Sequence, residues 1–379
     1  MHLSRIFRSL SFMRDPIFLL KSHHIASHSK SFPRKCFGIW SSKKVTEWNK
    51  AVSDAEKLVG YPTSLMGLRC FLSDEISNVA IQMRKLVGSK HPLLQTARGL
   101  IYNDSHTLQT RGLIVLLVCK AAGQPSGSDQ DIDNSQRALA EITEMIYTAC
   151  LIHKGVVNMS DFDRVDEVLE GMSSGNKMAT LTGDFLLANA CTELARLENT
   201  QVVENISCAI GNSMEAEFTK IKNSKTDVTF DDWLDQTYLT SGSLLAHSCQ
   251  SALLLVGHNE SYQTAAFNLG KNLAITRQLY EDINRFTQPE TDDISPNILS
   301  TAPGVLYLGN RSLDFTQELL EDPREQKKIL KKIKDSGELQ QCKDLCKQYG
   351  VKARQSLHVF EQSVPRDALF RIINATTVS

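Results

Sequence analysis

Gly175-Asn176-Lys177-Met178-Ala179-Thr180-Leu181-Thr182-Gly183-Asp184-Phe185-Leu186-Leu187-Ala188 is the stretch from which the fold is read. Met178, Leu181, Phe185, Ala188 and then Cys191 recur at intervals of three and four, the period of a helix that hides one stripe. The spacing predicts a buried helix with those five residues turned inward. The same rhythm continues on both sides. Leu139, Ile142, Ile146, Ala149 and Cys150 predict a helix running to about Val157, Leu245, Cys249, Ala252 and Val256 another, and Ala266, Leu269, Leu273 and Tyr280 a fourth.

Farther out, Gly112–Ala122 is an apolar run without strand alternation, and Ile76, Val79, Ala80, Met83 and Val87 give Asp74–Val87 helical spacing. Gly60-Tyr61-Pro62-Thr63-Ser64 breaks the chain early, His91-Pro92 opens a segment, and Gly123–Asn134 is a polar loop. Asn199–Val203 and Asp227–Phe230 are too short as strands to alter the class. Lysines crowd Arg324–Lys347, and Leu330 and Ile333 are expected to be the inward side of a solvated amphipathic helix there. The class is all-α, with one helical domain over residues 46–379 and no solenoid repeat.

Residues 1–45 differ in kind. Arg5, Arg8, Arg14, Lys21, Lys30, Arg34, Lys35, Lys43 and Lys44 meet one acid, Asp15, among dense serines, with Leu3, Ile6, Phe7, Leu10 and Phe12 interleaved. That is the composition of a mitochondrial targeting presequence. The whole chain of 379 residues carries a formal net charge of −1, which argues against nucleic acid as its main partner. Its nine cysteines have no repeating spacing, and Cys119, Cys150, Cys191 and Cys249 sit in apolar company. They read as reduced core thiols. No apolar run reaches the roughly 20 residues of a membrane span, which leaves a peripheral membrane contact as the open possibility.

The quoted stretch resembles the "GNKxAxLxGDFLLA" segment of the trans-isoprenyl (polyprenyl) diphosphate synthase family. Glu144-Met145-Ile146-Tyr147-Thr148-Ala149-Cys150-Leu151-Ile152-His153 resembles the helix that leads into that family's first aspartate-rich motif. Leu269-Gly270-Lys271-Asn272-Leu273-Ala274-Ile275 resembles the approach to the second, and Thr301-Ala302-Pro303 the "TAP" after a lid loop. Ala55-Glu56-Lys57-Leu58-Val59-Gly60-Tyr61-Pro62-Thr63-Ser64 is similar to the opening of the family's non-catalytic subunits. The resemblance, which runs from about Val52 to the C-terminus, implies the isoprenoid synthase helical bundle. The activity it implies joins an allylic diphosphate to isopentenyl diphosphate with Mg²⁺ held by two DDxxD motifs. First and last aspartates of such a motif, four apart, share one helix face, and Mg²⁺ wants such hard oxygen ligands.

Carried onto this chain, the first motif falls on Lys154, Gly155 and Asn158, and the second on Glu281, Asp282 and Arg285. Two acids survive of six. Unit charges about 4 Å apart at an effective dielectric of 20 interact by roughly 4 kcal/mol, so a cation in place of a carboxylate turns attraction for a metal into repulsion. Other ligands implied by the resemblance are also lost. His106–Gly112 keeps only Arg111 of "GGKRxRP", Tyr147 stands for a histidine, Thr240 for a lysine, and Asp163-Arg164 for paired arginines. The expectation is a chain that binds no metal or cofactor and has no catalytic residues of its own. It would pair in a mitochondrial-matrix heterotetramer with a catalytic polyprenyl diphosphate synthase subunit that holds the Mg²⁺ and makes the ubiquinone side chain. A stand-alone divergent prenyltransferase using Glu281, Asp282, Arg111 and Lys154 remains open, as does an isoprenoid-binding scaffold.

Bland readings are expected elsewhere. Asp161 and Asp163 belong to a solvated loop, and Glu281-Asp282 to a surface charge cluster beside Arg285. Asp231-Asp232 and Asp292-Asp293 are helix-capping or turn residues. Cys342 and Cys346 are thiols without the further ligands zinc needs. His153 is a packing residue, and Lys177 with Asp184 an ion pair that orders a helix.

Overall fold

Apolar stripes at helical spacing can be hidden only by laying helices against one another. The computed structural model does this throughout its described residues: 42–60, 92, 110–125, 132–159, 166–222, 228–287, 298–309 and 323–377. The described helices, in chain order, begin with α1 (Ser42–Val59), α2 (Arg111–Ala122), α3 (Asn134–His153), α4 (Asp166–Arg196) and α5 (Thr200–Lys222). They continue with α6 (Phe230–Thr237), α7 (Ser243–Leu254), α8 (Glu260–Thr287), α9 (Ala302–Gly309), α10 (Pro323–Lys334), α11 (Gly337–Ser356) and α12 (Val364–Thr376). A π-helical turn, Tyr238–Gly242, joins α6 to α7. No strand occurs among the described residues. The expected targeting presequence up to Ser41 and the expected helix Asp74–Val87 lie outside them.

α2 is apolar on every side, with Leu113 through Cys119 all buried, so it must be surrounded. α1, α3, α7 and α12 do so. α12 also brings the C-terminal end of the chain back onto α1, where Arg371 lies 3.7 Å from Asp54. α8 is the other axis, packed between α7 and α11. It crosses α7 so closely that a Cβ on Gly270 would stand 2.8 Å from the Ala246 Cα and the Leu245 carbonyl oxygen. Side-chain caps fix where helices begin. Asp133 and Gln136 form a capping box for α3, and Thr229 with Asp232 forms one for α6. Asp232 is thus the third residue of the box, and Thr229 is the cap itself.

Several expectations are corrected. α3 ends at His153, not near Val157, because Lys154 caps it and Gly155 and Val156 turn back, donating to the Ile152 and His153 carbonyls. The lysine-rich stretch divides into α10 and α11. The inward residues of α10 are Ile329 and Ile333, four apart on one face, with Leu330 at the edge. The largest correction concerns α4. Its buried face is Met172, Gly175, Ala179, Thr182, Gly183, Leu186, Ala190 and Leu194. Small residues bring its backbone against α3, and the stripe expected to be inward is turned out. Leu181, Ala188 and Cys191 are exposed, and Met178 and Phe185 are half-buried. Cys119 and Cys249 are core thiols as expected, and Cys342 and Cys346 are buried too. Cys150 is half-buried, whereas Cys191 is on the surface with Cys208.

Candidate functional site

The turn after α3 carries the first of the two motif positions, and α4 holds it in place. Asn176 grips one residue from both sides: the Val157 N–H donates to Asn176 Oδ1 and Asn176 Nδ2 donates to the Val157 carbonyl, each at 2.8 Å. His153 reaches across to α4, with Nε2 3.3 Å from the Thr180 carbonyl and 3.2 Å from Asp184 Oδ1. The imidazole can lie there only because residue 183 is glycine. A Cβ at Gly183 would come within 2.1 Å of His153 Nε2. Asp184 therefore pairs with His153, not with Lys177, which is exposed. Asn176, Gly183 and Asp184 of the quoted stretch brace the turn.

That turn does not present a carboxylate ladder. Lys154 is the C-cap of α3, Gly155 is in the turn, and Asn158 has left the helix, so the four-residue spacing no longer places its ends on one face. Lys154 Nζ points to α5, 3.6 Å from Glu217 Oε1. The two lie at a cavity of about 140 Å³ that Cys150, Ser213, Met214 and Thr240 also line. This is well below the roughly 300–1,000 Å³ of a pocket that buries a drug-sized ligand. The Thr240 hydroxyl is turned back to the Gln236 carbonyl. Sequence reasoning did not find Glu217. It stands 63 positions from Lys154 with no local pattern to mark it.

The second motif lies on α8, where each surviving acid has other work. Glu281 Oε1 accepts from Arg277 Nε at 3.0 Å. Arg277 in turn donates to Thr110 Oγ1 at 3.0 Å and sits over the Trp48 ring. Asp282 is not part of a surface cluster as expected. It is 2% exposed, and its carboxylate accepts from the Ala302 N–H at 2.8 Å and from Gln278 Nε2 at 2.9 Å. It ties the start of α9 to α8. Arg285 is exposed.

Burial raises the Asp282 carboxyl to about 6 from the usual 3.8, the Ala302 hydrogen bond and the Arg285 charge only partly opposing it. The folded state then holds the proton more tightly than the unfolded one. The charged form costs stability above pH 6, by about 3 kcal/mol for a shift of roughly two pH units, and the cost disappears as pH falls toward 4. Asp282→Asn should therefore gain stability relative to wild type as pH rises from 4 to 7, read by urea unfolding at each pH. A difference that does not change with pH would show that Asp282 is not strained by its burial.

Arg111 begins α2 and lies flat over Tyr147, 3.4 Å from the ring centroid. Beside it, Glu144 is fully buried, and the Gly112 N–H donates to Glu144 Oε1 at 2.8 Å. Burial drives its carboxyl above the usual range. Glu144 closes the start of α2. A Mg²⁺ cluster needs several converging hard oxygens. The six motif positions supply one carboxylate bound to Arg277, one locked to α9, and two cations. They do not fit the metal. Among the described residues no three His, Cys, Asp or Glu side chains gather as a metal site. Asp161, Asp163, Arg164, His106 and Asp292-Asp293 lie outside the described residues.

The model of the polyprenyl synthetase family matches residues 99–345. Human all trans-polyprenyl-diphosphate synthase PDSS2 is 43% identical over 361 residues, covering 90% of each chain. A Neurospora crassa protein named probable hexaprenyl pyrophosphate synthase, mitochondrial, is 30% identical over 408 residues, 89% of each. Among solved structures, the apo form of an Arabidopsis medium/long-chain length prenyl pyrophosphate synthase superposes with a TM-score of 0.57 at 27% identity, over 82% of this chain and 98% of that one. A decaprenyl diphosphate synthase from Rhodobacter capsulatus gives 0.64 at 16% identity, over 88% and 98%, a likeness of fold alone.

Proposed function

The chain belongs to the polyprenyl synthetase family, and we propose that within it this polypeptide is the non-catalytic subunit of a heteromeric all-trans polyprenyl diphosphate synthase. The assembly extends an allylic diphosphate with isopentenyl diphosphate to make the ubiquinone side chain. It is a heterotetramer of the mitochondrial matrix. Its Mg²⁺ is held by the catalytic partner. The similarity to human all trans-polyprenyl-diphosphate synthase PDSS2 and to a mitochondrial hexaprenyl pyrophosphate synthase supports the substrate class and the compartment.

The observation that carries the reading is the pairing of Lys154 with Glu217 at the first motif. An ammonium occupies the position of the first carboxylate, and it is held by an acid from the facing helix. The carboxylates of the second motif are engaged elsewhere, Glu281 with Arg277 and Asp282 with the Ala302 N–H. What this chain contributes is surface. Leu181 is 53% exposed, Phe218 63% and Val156 46%. Val156 is two residues past Lys154 and Phe218 is next to Glu217, and Lys154 and Glu217 both line the cavity. Leu181 follows Thr180, whose carbonyl lies 3.3 Å from His153 Nε2. Leu181, Ala188 and Ala195 recur every seven residues along the outer face of α4, and Phe218 is exposed on α5. Exposed apolar side chains at regular helical spacing favour docking of another helical surface, and the catalytic subunit is the occupant this reading assigns.

The chain purified alone with Mg²⁺, farnesyl diphosphate and isopentenyl diphosphate should yield no elongated product. Co-expressed with a catalytic subunit carrying intact DDxxD motifs, it should form a stable complex with restored activity. Elongation by the isolated chain would favour the stand-alone prenyltransferase. Failure both to turn over substrate and to bind a synthase would favour the scaffold.

A further inference from the structure

Among the described residues, α10 is a strongly charged feature that the proposed function leaves unused. Its sequence, PREQKKILKKIK, holds six basic residues against Glu325 alone, in a chain whose net charge is −1. Lys328, Lys331 and Lys332, at spacings of three and four, share one exposed face. Lys347 of the adjacent α11 is exposed as well, and Lys334 and Lys343 are half-buried. No hydrogen bond or ion pair engages Lys331, Lys332, Lys334 or Lys347 among the described residues. Among the described residues, the acids nearby are fewer: Glu338 is buried, Asp344 accepts from Gln340, and Asp335 stands exposed just past α10.

The apolar side of the helix is already committed. Ile329 and Ile333 are buried, with α8, α9 and α11 packed against α10. The helix therefore cannot roll its isoleucines into an acyl layer as an interfacial amphipathic helix does. It offers a fixed basic face about two turns long, anchored to the bundle. No described helix is long and apolar enough to cross a membrane.

We propose that the Lys328–Lys332 face of α10, with Lys347 of α11, docks the subunit on an anionic phospholipid surface by charge alone. The choice of lipid over another polyanion rests on the function proposed above. A polyprenyl diphosphate is an amphiphile that must pass from enzyme to bilayer, and a subunit without chemistry of its own is suited to hold the assembly where that transfer occurs. Lysines within a Debye length of an anionic leaflet are attracted to it, and salt screens the attraction. The contact is shallow and reversible.

The test uses the full chain in complex with its catalytic subunit, and vesicles of phosphatidylcholine with or without roughly one-third phosphatidylglycerol. Co-sedimentation should occur with the anionic vesicles only and be released by about 0.5 M NaCl, a concentration that cuts the Debye length well below 10 Å. Because residues 1–45 are themselves basic, the helix is read directly by acetylation. Anionic vesicles should slow modification of Lys331 and Lys332 at least fivefold and leave Lys57 unaffected. Lys331→Glu with Lys332→Glu should weaken anionic-vesicle binding at least tenfold, and Lys331→Gln with Lys332→Gln gives the same reading with less risk to folding. Binding to neutral vesicles, absence of protection at Lys331 and Lys332, or protection by polyglutamate or RNA but not by vesicles would overturn the proposal. Assembly and elongation activity, measured on the same variants, report separately on the proposed function.

Discussion

Leu181→Asp combined with Phe218→Asp should abolish assembly with the catalytic subunit while the isolated chain keeps its helical content. Both side chains are more than half exposed, so the monomer loses little packing when they become charged. In a complex that covers them they would be desolvated, and a buried, unpaired carboxylate is expensive. Truncating a central hot-spot residue alone costs about 2 kcal/mol or more, and two together weaken binding at least roughly 100-fold. Titration of the purified partner measures the loss, and circular dichroism verifies the fold. Val351 and Val359 are exposed apolar residues far along the chain, on α11 and the turn that follows it. Val351→Asp with Val359→Asp should leave assembly unchanged. Equal loss from both pairs, or no loss from the first, would place the interface elsewhere.

Gly270→Val should be strongly destabilising, because it would push two long helices of the bundle apart. A Cβ at Gly270 would stand 2.8–2.9 Å from the Ala246 Cα, the Leu245 carbonyl and the Ala246 nitrogen. These are backbone atoms of α7 and cannot step aside as a side-chain tip can. Overpacking a core costs about 1–3 kcal/mol where neighbours can shift, and prising apart two helices should reach the upper end of that range or exceed it. Gly211 is the opposite case. Nothing lies within 4 Å of its Cβ position on α5, so Gly211→Ala should gain up to about 1 kcal/mol of helix propensity in the isolated chain. Urea unfolding of both variants checks the contrast. A tolerated Gly270→Val would mean that α7 and α8 do not cross so closely.

Most of the helical architecture was legible because period and burial coincide in α3, α7 and α8. Leu139, Ile142, Ile146 and Ala149 are buried as their spacing requires, and so are Ala266, Leu269, Leu273 and Tyr280. α4 misled for a physical reason. Its buried face mixes Gly175, Ala179, Gly183 and Ala190 with Met172, Leu186 and Leu194, and the small residues let the helix dock closely on α3 along that face. Fit outweighed size, and Leu181 is left facing outward with Met178 and Phe185 half-buried. The sequence shows Lys154 and Arg285 where the resemblance implies aspartates. The arrangement around them was not legible. Glu217 meets Lys154 across 63 positions, and Asp282 meets the Ala302 N–H across 20. No local spacing encodes such contacts. His153 read as a packing residue, but its Asp184 and Gly183 partners appear only when α3 and α4 are side by side.

Erosion at Lys154 and Arg285 is accompanied by the tie from Asp282 to α9 and by the early end of α3, so it is not a matter of two charges. Lys154→Asp with Arg285→Asp should restore no elongation. The most direct test uses the heteromeric complex with this chain intact and the partner's own DDxxD aspartates replaced by alanine. Supplied with Mg²⁺, farnesyl diphosphate and labelled isopentenyl diphosphate, that complex should form no elongated prenyl diphosphate. Labelled long-chain product from it would contradict the account, because this polypeptide would be the only source left for the chemistry.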